Sequence, residues 1–208
     1  MEYSKEFKQA LSEFSPVEKD KLIFRLLKKD KLLSKKLYFE LIDLETTDDK
    51  RNAMEEIICE RVSEISKHVG NQKYFLVLIR KLSAEITEHV KITTDKFGDV
   101  YLNLFLVNKV LEHNEKLGRQ RFDAVYKLYI YLINKIIKAL IQIKKLDEDY
   151  WMEFDELLEN LNEKIDNNIY LSKLCVNNSF DFNWLKCENI PDHLDLIIKD
   201  IKSQGFLR

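Results

Sequence analysis

Apolar residues recur every three or four positions through most of this chain. Between Thr46 and Gly70 they are Met54, Ile58, Val62, Ile65 and Val69. This spacing matches the 3.6-residue turn of an α-helix and places the apolar side chains on one face. The same pattern predicts about eight helices in all. The other seven begin near Pro16, Asp30, Asn71, Gly98, Arg121, Trp151 and Asp192.

Capping residues mark where several of these helices begin and end. In the sequence Ser15-Pro16-Val17-Glu18, the serine can accept a hydrogen bond from the third helical amide while the glutamate reaches back to the serine amide. Proline is favoured at the first helical position because its missing N–H is not needed there. Gly70 and Gly118 follow the last apolar positions of two helices and predict the ends of those helices.

The segment 121–145 is apolar on nearly every side. Its polar residues form one narrow stripe, made of Lys127, Asn134, Lys138, Gln142 and Lys145. A helix of this kind is covered by neighbouring helices on most of its faces. We therefore expect this helix at the centre of the fold.

The chain contains only four Gly and two Pro. Their scarcity predicts long helices joined by short polar connections, since a sheet protein needs these residues for its turns. We predict an all-α fold, either an up-and-down multi-helix bundle or a short array of antiparallel helical hairpins. Residues 1–208 form a single domain in this prediction, and a minor boundary fits best near 45–49. The Asn-rich segment 167–191 is expected to be an irregular strap that lays aromatic residues on the bundle.

Composition and charge narrow the class of protein. The chain is 45% hydrophobic and 34% charged, with a formal net charge of −2. Such a chain can bury a core, and it is not a globally basic nucleic-acid binder. The odd count of three Cys and the absence of a secretory leader predict a reducing cytoplasm. No apolar stretch approaches the roughly 20 residues that span a bilayer, so we expect no membrane association.

Sequence motifs for catalysis and phosphate binding are missing. With glycines only at 70, 98, 118 and 205, the chain has neither a phosphate-binding loop nor a dinucleotide fingerprint. The pairs Glu153/Glu156 and Glu163/Asp166 have the spacing of magnesium-binding helices. They lie on one predicted helix, however, and we interpret them as solvated acidic faces. We therefore expect no catalytic residue and no cofactor.

Cys175, Cys187 and His193 are the other candidates for a metal site. Their spacing matches no usual structural zinc site, and a fourth ligand is not evident. Buried thiols that behave as small hydrophobic groups explain the cysteines better. We expect no metal ion here.

Charge is unevenly distributed along the chain. Between Pro16 and Lys36, eight basic residues stand against three acidic ones, and such a segment can contact phosphate groups or acidic protein surfaces. The candidate anion or nucleic-acid contacts are Arg25, Lys28, Lys29, Lys31, Lys35 and Lys36. The alternative is a solvated face, or pairing with acidic residues of the same chain.

Three stretches carry a resemblance to known proteins: residues 14–30 (FSPVEKDKLIFRLLKKD), 37–41 (LYFEL) and 94–102 (TDKFGDVYL). The first two resemble the opening of a family of all-helical proteins from bacteria of the Flavobacterium group, and the third is similar to a later motif of the same family. The resemblance implies a bacterial cytoplasmic protein. It carries over no functional residue.

The sequence favours a non-catalytic cytoplasmic protein that binds another protein, as a scaffold or adaptor does. Helical arrays commonly present grooves or helix faces to partner proteins. One alternative is a nucleic-acid-associated protein that uses the basic segment 16–36. The other is a helical enzyme whose carboxylate or metal site the spacing does not reveal. The sequence leaves the oligomeric state open.

Overall fold

A computed structural model describes residues 2–114 and 122–208. These residues form an all-α fold without strands, as the sequence predicts. Their ten α-helices are α1 (Lys5–Ser12), α2 (Pro16–Leu27), α3 (Lys31–Leu41), α4 (Thr47–Ser66), α5 (Gln72–Thr93), α6 (Lys96–His113), α7 (Phe122–Ile143), α8 (Met152–Asp166), α9 (Ile169–Asn177) and α10 (Leu194–Ser203). Short 3-10 helices occupy Glu148–Tyr150, Phe182–Leu185 and Cys187–Asn189.

The count of ten helices in the described residues corrects the predicted count of about eight. One of the two additional helices is α1, whose first turn is capped by the Ser4 side chain. The other is α9, which lies in the segment expected to be irregular. Asn168 caps α9 by accepting from the Leu171 amide, and Leu171 and Leu174 are buried one turn apart. A nine-residue helix shows too little periodicity to stand out in an Asn-rich sequence.

Side-chain caps set the first turns of the longer helices. Ser15 and Glu18 form the predicted capping box at α2, and Thr46 and Asp49 form a second one at α4. Asn71 caps α5 through the Tyr74 amide, 3.2 Å away. Each of these caps satisfies backbone N–H groups that have no partner within the helix.

Helices α6 and α7 form the centre of the bundle. Helix α6 packs against α4, α5, α7 and α8, and α7 also contacts α5 and α9. The prediction that α7 is central is confirmed, and α6 shares that position with it. The largest fully buried side chains of these two helices are Leu102, Leu104, Leu106, Leu128, Tyr129 and Leu132.

The C-terminal part of the chain covers one side of this centre. Phe180 and Trp184 are buried, with their ring centroids 5.6 Å apart. Beyond α10, Leu207 is buried as well, and its amide donates to the Asn178 side chain over 2.7 Å. The helix end predicted at Gly118 lies outside the described residues.

The N-terminal helices lie at the edge of the bundle. Helix α3 packs on α5, and α2 contacts α3. No helix within residues 2–114 and 122–208 combines the length and apolarity needed to cross a lipid bilayer.

Candidate protein-interaction surface

We call residues 2–44, which comprise α1 to α3 and the start of the connection to α4, the N-terminal arm. None of these residues is buried. The arm nevertheless exposes twelve large hydrophobic side chains, whereas the rest of the described chain exposes ten. The twelve are Tyr3, Phe7, Phe14, Val17, Ile23, Phe24, Leu26, Leu33, Tyr38, Leu41, Ile42 and Leu44. Apolar surface gathered in this way is typical of a binding surface.

The arm is held to the bundle by half-buried contacts on α3. Leu32, Leu37 and Phe39 are partly covered there. Lys35 forms an ion pair with Glu88 of α5, at 2.6 Å, but both side chains are at least half exposed. An exposed pair of this kind contributes about 0–1 kcal/mol to stability. The arm therefore adds surface to the fold without adding to its core.

The structure separates the six predicted anion contacts. Lys35 pairs with Glu88, and Lys36 lies 3.7 Å from Glu40 on the same helix. Lys35 and Lys36 therefore pair with acidic residues of the same chain, which was the alternative to anion contact. Arg25, Lys28, Lys29 and Lys31 are exposed and make no ion pair with the residues that the structure describes.

One face of α2 combines apolar and basic side chains. Val17, Lys21, Phe24 and Lys28 follow one another at spacings of four, three and four residues, and all four are exposed. Residues at this spacing lie along one side of a helix. Phe24 is the most exposed of the arm's four Phe side chains at 63%. We call these four residues the α2 stripe.

A second surface lies on the outer side of α6. Phe97, Tyr101 and Phe105 stack along this helix at intervals of four residues, with ring centroids 5.7 and 6.1 Å apart. All three rings are half-buried. Helices α4 and α8 pack on either side of α6. We call the surface over these three rings, between α4 and α8, the α6 groove.

The groove contains two cavities of about 610 and 400 Å³. The larger one lies at the Phe97 end and the smaller one extends from Tyr101 to Lys164. Glu153 of α8 lines both, so the two cavities share a wall. No residue of the N-terminal arm lines either one.

Carboxylates converge on the middle of this groove. Burial, followed by the nearby Glu55 of α4 and Glu156 of α8, raises the pKa of the Tyr101 hydroxyl. Burial also raises the pKa of Glu55, against the opposing effects of Tyr101 and Arg51. Glu153 and Glu156 are exposed and form no ion pair within the described chain. Arg51 is the cation that acts on Glu55, and Lys109 and Lys164 line the same cavity as Glu153 and Glu156. The three carboxylates near Tyr101 nevertheless outnumber the one cation, Arg51, that acts on its hydroxyl.

The two ends of the groove already show how its rings accept cations. The Arg51 guanidinium lies 4.6 Å from the centroid of Phe97, and the Lys109 ammonium lies 5.5 Å from that of Phe105. A cation over an aromatic face is attracted by the ring quadrupole within about 6 Å. Tyr101, between these two rings, has no such cation among its described contacts.

A third cavity, of about 460 Å³, lies between α3 and α5. Its lining includes Asp43, Lys50 and His89. Lys50 pairs with Asp43 at 2.8 Å. The Nε2 atom of His89 is buried and has no hydrogen-bond partner among the residues that the structure describes. Burial lowers the pKa of His89, and the charges of Lys50 and Arg51 add to this effect while Asp95 opposes it.

Lys135 of α7 is the most perturbed lysine in the described chain. Its ammonium donates to Asn103 of α6. Burial is the main cause that lowers the pKa of Lys135 to about 8, and Lys138 adds to it while Asp99 opposes it. Asp99 in turn accepts from Asn103 and Gln142. These polar groups satisfy one another, so the cluster is explained by the packing of α6 on α7.

The cysteines are placed as structural groups. Burial raises the pKa of the Cys175 and Cys187 thiols to about 12. Cys187 donates to the Trp151 carbonyl over 3.4 Å. In the part of the chain that the structure describes, no three His, Cys, Asp or Glu side chains form a group that could hold a metal ion.

The sequence pointed to the arm through its basic residues, but its apolar surface and the α6 groove were not predicted. The signal for the groove was present in the spacing of Phe97, Tyr101 and Phe105. Aromatic residues four apart also occur in ordinary core helices, so this spacing alone does not distinguish the two. Comparison with protein-family models, curated proteins and solved structures found no match for this chain.

Proposed function

We propose that this chain is a non-catalytic protein-interaction module whose N-terminal arm binds a partner protein. The observation that carries the proposal is the exposure of twelve large hydrophobic side chains on an arm that contains no buried residue. Burying a Leu or Phe side chain contributes roughly 1.5–3 kcal/mol. A partner that covers a few of these residues gains enough free energy to bind.

The α2 stripe suits recognition by a groove on the partner. An amphipathic helix binds such a groove through apolar anchors that share one face, and Val17 and Phe24 share a face because they lie two turns apart. Lys21 and Lys28 alternate with the anchors and would meet acidic residues at the rim. Charges at a rim mainly set the association rate and the choice of partner.

We set this module in the cytoplasm. The chain has three Cys, and each of them is a free thiol. Free thiols persist in reducing compartments, whereas oxidising compartments favour disulfides.

Site-specific photo-crosslinking in living cells tests the proposal. A photoreactive phenylalanine analogue replaces Phe24, and a matched control places it at Val176, which is 62% exposed on α9. We expect a discrete protein adduct at position 24 that is absent at position 176. The substitution Phe24→Asp should abolish capture from position 17, while the melting temperature stays unchanged. The proposal is wrong if position 24 gives no protein adduct, or if both positions give the same adducts.

A nucleic-acid-associated role is the second candidate, and it is favoured by Arg25, Lys28, Lys29 and Lys31, which are exposed and form no ion pair among residues 2–114 and 122–208. Binding through four phosphate contacts would weaken with salt at a slope of about −3 to −4 in log–log form. Retention on heparin and on single-stranded RNA at low salt tests this candidate. Retention that falls steeply with salt and is lost on reversing the four charges supports it. No retention excludes it.

A further inference from the structure

We infer that the α6 groove is the docking site for helix α2 of a second copy of this chain. The inference rests on the proposed function, because it names the partner of the N-terminal arm. It makes the chain self-associating, with the arm of one copy bound between α4 and α8 of another.

Charge complementarity is the first argument. The α2 stripe presents Lys21 and Lys28 beside its apolar residues. The groove presents Glu55 on the α4 side and Glu153 and Glu156 on the α8 side. When α2 lies in the groove, Lys21 and Lys28 would lie between the carboxylate of the α4 side and those of the α8 side. They would add positive charge beside Glu153 and Glu156, which form no ion pair with the described residues.

Apolar complementarity is the second argument. The floor of the groove consists of the half-buried rings of Phe97, Tyr101 and Phe105. Val17 and Phe24 are exposed on the α2 stripe. Aromatic and aliphatic anchors that fill such a floor dominate the affinity of most protein interfaces. Tyr101 also offers a ring face to an incoming lysine.

The lengths agree as well. Helix α2 contains 12 residues and is about 18 Å long at 1.5 Å per residue. Phe97 and Phe105 are eight positions apart on α6, which corresponds to about 12 Å. Val17 and Phe24 lie about 10 Å apart by the same measure. The helix can therefore span all three rings while both anchors contact the floor.

The chain's own arm does not fill the groove. Helix α2 contacts α3, and α3 packs on α5. The walls of the two groove cavities come from α4, from α6 and the residues just before it, and from the 146–164 region that includes α8. A second copy supplies the same basic and apolar stripe without this restriction. The arm and the groove are different surfaces, so each contact joins unlike surfaces of the two copies. A closed dimer forms when the arm of each copy occupies the groove of the other.

Charge exchange tests this inference with the full-length chain. One variant, K21E/K28E, reverses the stripe, and the other, E153K/E156K, reverses one rim of the groove. All four residues are exposed, so circular dichroism should show both variants folded. Matched controls are Lys19→Glu, outside the α2 stripe, and Glu159→Lys, exposed on α8 but outside both cavities.

Sedimentation equilibrium over a range of concentrations gives the readout. We expect the wild-type chain and both controls to self-associate. Each reversed variant alone should associate at least tenfold more weakly. An equimolar mixture of the two reversed variants should regain the association of the wild type. A wild-type chain that stays monomeric up to about 100 µM, well above a micromolar Kd, overturns the inference. So does association that neither variant weakens, or a mixture that does not recover.

The two proposals fail in different ways. If crosslinking at position 24 captures a different protein while the chain stays monomeric, this inference is wrong and the proposed function stands. If position 24 captures a second copy and the charge exchange recovers association, both stand. If position 24 captures no protein, both are wrong.

Discussion

Arg51 and Asp95 join the start of α4 to the start of α6 through a largely buried ion pair. The Nε atom of Arg51 donates to Oδ2 of Asp95 over 2.8 Å, and the two side chains are only 16% and 5% exposed. The other carboxylate oxygen accepts from the Gly98 amide, also over 2.8 Å, and so caps α6. One carboxylate therefore orients both a wall of the α6 groove and the helix that forms its floor.

Removal of either partner of this pair should destabilise the fold. Arg51→Met leaves the Asp95 carboxylate buried without its cation, and we expect a loss of about 3 kcal/mol in the free energy of unfolding. Asp95→Asn keeps an oxygen for the cap and should lose less. Urea denaturation of the two single variants and the double variant measures the coupling. Lys109→Met, which breaks the exposed pair with Glu112, should cost less than about 1 kcal/mol. Additive effects at positions 51 and 95 would contradict the assigned contact.

Gly98 should be required for this arrangement. A Cβ atom at position 98 would lie 2.1 Å from Oδ2 of Asp95 and 2.6 Å from its Cγ. Ala is normally preferred over Gly in a helix by about 1 kcal/mol, but here the methyl group displaces the capping carboxylate. We expect Gly98→Ala to destabilise the fold by about 2 kcal/mol. Gly70→Ala is the control, because nothing lies within 4 Å of its Cβ position. Equal melting temperatures for the two variants would contradict this expectation.

His89 should make stability depend on pH near neutrality. Burial lowers its pKa in the folded chain, so between the folded value and the ordinary value of about 6.5 the unfolded chain binds more protons. The stability that the folded chain has while His89 is neutral in both states is fully present above pH 6.5, and it is lost as the pH falls through the folded pKa. We expect the wild type to lose stability relative to His89→Gln between pH 7.5 and 5. Urea denaturation across this range measures the difference, and parallel curves for the two proteins would rule out the effect.

Lys135 should make the stability of the fold rise with pH in the alkaline range. Its pKa of about 8 in the folded chain lies below the ordinary value of about 10.4. Below pH 8 both states are protonated and the full penalty for burying the charge is present. From pH 8 to 10.4 the unfolded chain binds more protons, so stability rises by at most about 3 kcal/mol. Lys135→Met should remove this rise. The free energy of unfolding at pH 8 and pH 10 tests it, and an equal rise in the variant would show that other groups are responsible.

Local sequence signals were sufficient to predict most of the helices. Ser15 and Glu18 specify the start of α2 because their side chains bond to backbone groups only three residues away. Trp151, Phe154, Leu158, Leu161 and Ile165 recur at intervals of three and four residues; the last four are fully buried, and Trp151 is half-buried. These features depend on neighbours along the chain, so the sequence contains all the information they need.

Features formed between distant segments were not predictable in this way. The tail at Leu207 is fixed by Asn178 and Asn134, which lie 29 and 73 positions away. The α6 groove needs α4 and α8 on opposite sides of α6. The periodicity of a helix does not indicate which neighbouring helices pack against it. The arm showed the same limit, because Leu26 lies at helical spacing from Leu22 and is nevertheless exposed.

Amide hydrogen exchange tests the central claim, that the arm is a binding surface rather than part of the core, most directly. In the dilute chain, the amides of α1 to α3 should exchange much faster than those of α6 and α7, because the arm has no buried residue. On adding the partner captured at position 24, or on raising the concentration if that partner is a second copy, the amides of α2 should become protected. Arm amides that exchange as slowly as those of α6 in the dilute chain, or that remain unprotected with the partner bound, would contradict the claim.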